Sequence, residues 1–194
     1  MSDSFDMEAL LRESGAFLQG HFLLTSGMHS PHYYEKFRLL ENPEYTSQVA
    51  VALAHRFRSK EIDVVAGAAI GGIILAYEVA RVVGVRCVFS ERTRNTFKFR
   101  RGFHLDPDER VLLVEDIVTT GASVLELRDL VRSTGAQIQG IGVLVDRSNG
   151  TFQPEEEWAA LYTASVENYP PDECPLCRQD IPLTSRGRTG KSRT

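Results

Sequence analysis

The chain has 194 residues, 42% of them hydrophobic, with a formal net charge of −4. That composition suits one domain with a real core and argues against disorder, and the acidic balance excludes a broad nucleic-acid-binding face. No apolar run approaches the roughly 18 residues of a membrane span, and the start, MSDSFDMEALLRESG, lacks a basic stretch followed by an apolar one, so a cytoplasmic protein is expected.

Asp3 or Ser4 is placed to cap a first short helix, with Leu10, Leu11 and Phe17 on one face. Pro43 opens a second, with Val49, Leu53 and Phe57 spaced for one side, and a loop is expected between the two. From Ile62 the pattern changes. DVVAGAA reads as a buried strand, GGIILAYEVARVVG as a helix closed by Gly84, and RCVFS as the next strand. Residues 92–110 show no clear period. Strand VLLVE, helix SVLELRDLVRSTG with Val124, Leu127 and Val131 on one face, and strand IQGIGVLVD then repeat the unit. Strands alternating with helices of this length predict an α/β fold: a parallel sheet flanked by helices on both faces. The polar end, SRGRTGKSRT, reads as a frayed tail.

In such a sheet, ligands bind outside the carboxyl ends of the strands. Three loops lie there: AAIGG (68–72), the charged segment after RCVFS, and EDIVTTGAS (115–123). In the third, Thr119, Thr120, Gly121 and Ala122 lead straight into a helix. Unpaired amides and the positive helix end converge on that turn, and Gly121 lets an anion approach the backbone. This is a phosphate cradle, but no Lys follows the glycine as GxxxxGK[ST] requires, so it is not a nucleotide-hydrolysing loop. Glu115 and Asp116 would repel a phosphate placed against them. They suit the vicinal hydroxyls of a sugar and a hydrated divalent metal. A sugar with a phosphate at one end satisfies both halves.

The charged segment reverses the chain's acidic character: five of the ten residues 92–101 are Lys or Arg. Its position above the sheet favours a mobile loop closing over an anion. Cys87, Cys174 and Cys177 are too few and too odd in number for a disulfide scaffold, so reduced thiols are expected. CPLC (174–177) could be half of a zinc site, but no second pair exists and no nearby His completes it, so an incidental or structural thiol pair is expected.

VLLVEDIVTTGAS resembles the phosphoribosyl pyrophosphate (PRPP) signature of the type I phosphoribosyltransferases. The likeness covers roughly residues 15–183. FLLTSGMHSPHYYEKFRLL and LVDRSNG are similar to segments of the orotate-using branch. The resemblance implies a single domain over 1–183, with a core near 62–147, a small hood from 15–40 and 150–183, and a flexible tail at 184–194. It implies that Glu115, Asp116, Ile117, Val118, Thr119, Thr120, Gly121, Ala122 and Ser123 hold PRPP, and that Thr119, Arg147, Tyr33 and Tyr34 meet orotate. Arg92 is the nearest match to the first basic residue of a loop that covers pyrophosphate, so Arg92, Glu115 and Asp116 are the catalytic expectation. Lys98, Arg100, Arg101 and His104 are treated as a group.

The implied reaction is PRPP plus orotate giving orotidine 5′-monophosphate and pyrophosphate. Mg²⁺ would ride on PRPP with no direct protein ligand. The loop would serve a neighbouring subunit's site in a homodimer. Two departures from the family pattern stand out: Thr25 and Gly71 occupy positions that are basic in some relatives. The rival readings are a purine-specific enzyme, which would not need Arg147 together with SGMHSPHYY, and a PRPP-sensing regulator, which would need a DNA-binding module that the sequence does not offer.

Overall fold

A computed structural model describes residues 5–94, 96–164 and 167–186. Helix α1 (Met7–Glu13) is capped by Asp6, whose carboxylate accepts the Ala9 amide at 3.0 Å. The expected caps, Asp3 and Ser4, lie outside the described residues. Phe17 does not belong to this helix. It begins β1 (Phe17–Leu23), which pairs antiparallel with β2 (His29–Tyr34) where a loop was expected. The short helix α2 (Lys36–Leu40) follows. In α3 (Pro43–Arg56) proline occupies the first turn, where its missing N–H costs nothing, and Asn42 caps the amides of Glu44 and Tyr45.

The remaining elements build the main sheet. They are β3 (Val64–Ala68), α4 (Gly71–Val83), β4 (Arg86–Thr93), β5 (Thr96–Phe99), β6 (Arg110–Val118), α5 (Ala122–Arg132), β7 (Gln137–Asp146) and β8 (Trp158–Thr163). The strand order is β5-β4-β3-β6-β7-β8, parallel throughout except for the β4–β5 hairpin. β8 comes from the segment expected in the hood, so the sheet reaches beyond the expected core. After it, α6 (Pro175–Arg178) leads to β9 (Thr184–Ser185), which pairs parallel with β1 and makes a small second sheet, β2-β1-β9. Thr184 and Ser185, expected in the tail, are thus hydrogen-bonded into that sheet.

The period-two rule divides the core cleanly. Leu112 and Val114 of β6 face α3 and α4, packing with Leu53, Leu75 and Val79, whereas Val111 and Leu113 face Val124, Leu127 and Val131 of α5. All of these side chains are buried, and each contributes about 1.5–3 kcal/mol against exposure. α4 lies so close to β3 that a Cβ on Gly67 would stand 2.2 Å from the Gly72 carbonyl oxygen, which admits only glycine there. Because β3, β4, β6 and β7 run parallel, their carboxyl ends open on one edge of the sheet. Among the described residues no helix is long and apolar enough to cross a membrane.

Candidate active site

At the end of β6 the chain turns through Gly121, whose φ of 77° is left-handed, and enters α5. Thr119 and Thr120 are exposed, and the amides of the first helical turn have no intrahelical acceptors. Glu115 and residues 117–124 line a cavity of about 60 Å³ at this turn. An open groove of about 730 Å³ between α1 and α3 is larger, but Asp6, Glu13 and Glu44 line it without any Lys or Arg, the wrong electrostatics for a phosphate. Of the two cavities, the turn at the end of β6 is the one with free helix amides and no ring of acids. Phe152, which stacks edge-on against Trp158, packs under the turn so closely that a Cβ on Gly121 would lie 2.3 Å from its ring.

Glu115 and Asp116 are both buried, at 7% and 3% exposure, which is unusual for acids that serve no ligand. A Glu115 carboxylate oxygen accepts the Asp116 amide at 3.0 Å, and Asp116 Oδ1 accepts the Ile117 amide at 2.6 Å. Burial first, and then the adjacent Asp116 carboxylate, push the Glu115 carboxyl well above the usual carboxylate range, while Lys36 pulls the other way.

Lys36 was missed by sequence reasoning. Its ammonium lies 2.5 Å from Asp116 Oδ2, although it belongs to α2, eighty residues earlier in the chain. A Cβ on Gly71 would fall 1.5 Å from the same carboxylate oxygen and 3.2 Å from Lys36 Nζ. The glycine in AAIGG thus leaves room for an ion pair, and a cation stands beside that loop even though the loop itself has none. No local signal marks Lys36, because its partner is brought to it only by the fold.

Arg147 follows β7, and its amide donates to the Val118 carbonyl at 2.7 Å, which fixes it beside the cradle. Its guanidinium lies 5.3 Å from the Tyr34 ring centroid, its Nε is buried without a hydrogen-bond partner, and burial lowers its pKa. Tyr34 is itself buried, which raises its pKa, as does its contact with the Tyr162 hydroxyl. Strand alternation sends Tyr33 to the other face of β2, where it packs on Phe22 with centroids 5.6 Å apart. Tyr34 is the aromatic ring against Arg147, and Tyr33 still lies close enough for its hydroxyl to feel the Arg147 charge.

The charged segment forms the β4–β5 hairpin. Arg92 pairs with Glu126 of α5 at 2.7 Å and stands over the Phe97 ring at 4.2 Å; Arg101 pairs with Glu91 at 2.5 Å, and Arg100 with the same acid at 3.9 Å. Arg94 and Lys98 are exposed and make no ion pair among the described residues. The hairpin's unpaired charge is therefore carried by those two rather than by Arg92, and His104 lies beyond it with its Nδ1 3.2 Å from the Gly102 carbonyl oxygen.

Buried paired acids, an amide cradle and a hood packed over the carboxyl edge of a parallel sheet define a phosphoribosyltransferase-type domain. The family model for the phosphoribosyl transferase domain matches residues 38–169. An orotate phosphoribosyltransferase of Desulforamulus reducens is 47% identical over 178 residues, covering 92% of this chain and 93% of that protein. One from Thermotoga maritima is 40% identical over 184 residues, covering 95% and 98%. Among solved structures, the orotate phosphoribosyltransferase of Aeropyrum pernix superposes with a TM-score of 0.70 at 24% identity over 81% of this chain and 93% of that one. An adenine phosphoribosyltransferase of Thermoanaerobacter pseudethanolicus reaches 0.60 at 15% identity over 69% and 88%, so the fold alone does not select the base. At these identities, over nearly the full length, the chain belongs to the orotate phosphoribosyltransferase family.

Proposed function

We propose that the chain transfers the phosphoribosyl group of PRPP to orotate, releasing pyrophosphate and forming orotidine 5′-monophosphate, the ring precursor of UMP. The observation that carries the base assignment is Arg147. Its buried, unpartnered Nε, beside the cradle and next to an aromatic wall, matches a flat heterocycle bearing a carboxylate. A neutral purine would leave that cation uncompensated. The identities with orotate-using relatives point the same way.

The 5′-phosphate sits on the amides of residues 119–123, with the Thr119 and Thr120 hydroxyls as further donors. Thr119 faces orotate as well. Glu115 and Asp116 accept hydrogen bonds from the ribose hydroxyls and fix the sugar so that its anomeric carbon faces the base. A ring nitrogen of orotate, giving up its proton to solvent or to the departing pyrophosphate, forms the new bond to that carbon as the bond to pyrophosphate oxygen breaks, so no protein nucleophile is needed.

The donor set suits a hydrated Mg²⁺ arriving with PRPP. Glu115 is a buried carboxyl short of positive charge, while Asp116 already faces Lys36, so contact through water to these two fits better than direct ligation. When bound, Mg²⁺ neutralises part of the pyrophosphate charge. Lys36 beside the Ala68–Gly72 turn, with Arg94 and Lys98 of the hairpin, supplies the remaining positive charge as pyrophosphate departs. The hairpin closes over the site of a second subunit, which makes the working unit a homodimer, and its setting is the cytoplasm.

The test is the loss of orotate absorbance with PRPP and magnesium, with adenine, hypoxanthine and uracil as competing bases. Orotate alone should be consumed. Turnover of a purine in its place would overturn the assignment.

A further inference from the structure

Far along the chain from the PRPP motif, four side chains with ligating atoms meet in one place. His21 of β1, His29 of β2, and Cys174 and Cys177 at the start of α6 bring their ring nitrogens and sulfurs within 4.8 Å of one another. The expectation that no histidine accompanies the CPLC pair therefore fails. Residues about 150 positions apart are joined because the C-terminal segment returns to the N-terminal hairpin. We propose that this cluster is a structural zinc site of the Cys2His2 type, which staples the end of the chain to the hood.

The three nitrogen-to-sulfur distances fit a tetrahedron, while the two histidine nitrogens stand closer together than its edge and would part on binding. Zinc bonds of about 2.3 Å to sulfur and about 2.0–2.1 Å to nitrogen imply ligand-to-ligand edges of about 3.3–3.8 Å. His21 Nε2 lies 3.5 Å from Cys174 Sγ and 3.7 Å from Cys177 Sγ; His29 Nδ1 lies 3.3 Å from Cys177 Sγ and 2.9 Å from His21 Nε2. Local structure arranges each pair. His29 sits opposite Leu23 in the hairpin, and the irregularity in β1 between Gln19 and Phe22 sets His21 next to it, ring centroids 4.8 Å apart. Cys174 caps α6 and Pro175 opens it, a tight turn that leaves both sulfurs on one side.

The surroundings complete the chemistry. His21 Nδ1 lies 2.7 Å from the Ile181 carbonyl oxygen, the backbone partner that fixes a metal-binding imidazole with its other nitrogen free to ligate. His21, His29 and Cys174 are buried, while Cys177 forms the more accessible corner. Four neighbouring soft and borderline ligands with no hard carboxylate among them select zinc over magnesium or calcium.

The segment also needs a staple. Across residues 171–186, Cys174 is the one buried residue, and Ile181 and Leu183 remain 36% and 45% exposed, so apolar burial does little to hold it. Among the described residues, backbone bonds to the rest of the chain tie it at its two ends: Tyr169 exchanges both of its bonds with His29 at 2.8 Å, and β9 pairs with β1. A metal bound at the centre of this span contributes its binding free energy directly to the docking of the segment.

The experiment uses the full chain, purified reduced, with its metal content measured and then replaced by Co²⁺ after chelation. One zinc per chain is expected, and the cobalt form should show the intense visible bands of tetrahedral coordination with a thiolate charge-transfer band in the near ultraviolet. Cys177→Ser should abolish much of the charge-transfer intensity and weaken cobalt binding by more than ~10-fold. His29→Gln should weaken binding while leaving the thiolate bands in place. Chelation of the wild-type chain should increase amide exchange across 169–185 and lower its melting temperature. Folded, reduced wild-type chain that binds neither metal stoichiometrically would overturn the proposal. So would cobalt bands unchanged in both variants, or a Cys174–Cys177 disulfide recovered in place of metal.

Discussion

The ammonium of Lys36 lies 2.5 Å from the Asp116 carboxylate, so one ion pair links the helix after the N-terminal hairpin to the second acid of the PRPP motif. Asp116 is nearly fully buried and Lys36 partly so, which makes the pair costly to break from either side. Two roles for Lys36 can be separated: neutralising Asp116, or meeting pyrophosphate as it leaves. Lys36→Met should lower the melting temperature, because it strands a buried carboxylate. It should also lower kcat on the order of 10²-fold, as for loss of one transition-state donor. Adding Asp116→Asn should restore the melting temperature, because no carboxylate is then stranded, while turnover stays low in any case because Asp116 itself meets the ribose. A Lys36→Met kcat close to that of the wild type would reduce Lys36 to a counter-ion.

Glu115 gives the pH prediction. Its carboxyl is raised by burial and by Asp116, so above the ordinary carboxylate value of about 4.3 the native state keeps a proton that the unfolded chain has lost. Stability from this group is present at low pH and falls as pH rises through the raised native pKa. Ribose hydroxyls and a hydrated cation favour the ionised form, so binding of Mg²⁺ and PRPP should expel that proton near neutral pH. Calorimetry in buffers of different ionisation enthalpy should detect the release, and Glu115→Gln should abolish it. Equal release in wild type and variant would assign the proton to PRPP and remove Glu115 from the site.

A side chain at Gly121 would fill the cradle, but it cannot do so in an otherwise intact protein. The residue has a left-handed φ of 77°, and its Cβ would strike Phe152, so Gly121→Val should unfold the turn rather than merely fill it. Thr120→Val removes a hydroxyl from the exposed rim of the same cavity, with the loss of one long hydrogen bond from the Ala122 amide at 3.4 Å and without touching the core. Its KM for PRPP should rise by about 10-fold, the loss of one hydrogen bond to a charged group, with the melting temperature nearly unchanged. An unaltered KM would remove Thr120 from the phosphate site.

What could be read from the sequence was whatever folding keeps local. The strand, acids, turn and helix of residues 111–132 are contiguous, and their order alone placed that turn at the carboxyl edge of the sheet, where the fold has it. The β1–β2 hairpin was hidden because FLQGHFL and HSPHYY do not alternate cleanly between apolar and polar, and their burial is uneven. β8 was hidden because WAALYT is half-buried from Trp158 to Tyr162, with no alternation between its two faces. Lys36 beside Asp116 and the two histidines beside CPLC depend on contacts between distant parts of the chain, which no spacing rule encodes. Arg92 adds a contact of the same kind: its residue type suited a catalytic cation, and the fold sets Glu126, thirty-four residues on, against it.

That placement changes which hairpin residues should matter. Arg92, Arg100 and Arg101 each face a carboxylate of their own chain, whereas Arg94 and Lys98 are exposed without an ion pair among the described residues. Cations already neutralised by Glu126 or Glu91 have less to offer a departing pyrophosphate. Replacing Arg94 and Lys98 together by Ala should lower kcat on the order of 10²-fold or more while changing KM for orotate little, because the charge they meet grows in the transition state. Arg92→Ala should act differently. It frees Glu126, which also accepts the Phe97 amide at 2.7 Å, so it should loosen the hairpin, and Glu126→Gln should reproduce its effect. If the hairpin serves a second subunit, mixing the Arg94→Ala, Lys98→Ala chain with an Asp116→Asn chain should rebuild one working site per heterodimer. Activity should then return well above that of either parent. No recovery, with subunit exchange demonstrated, would place the hairpin over its own cradle and remove the reason for an obligatory dimer.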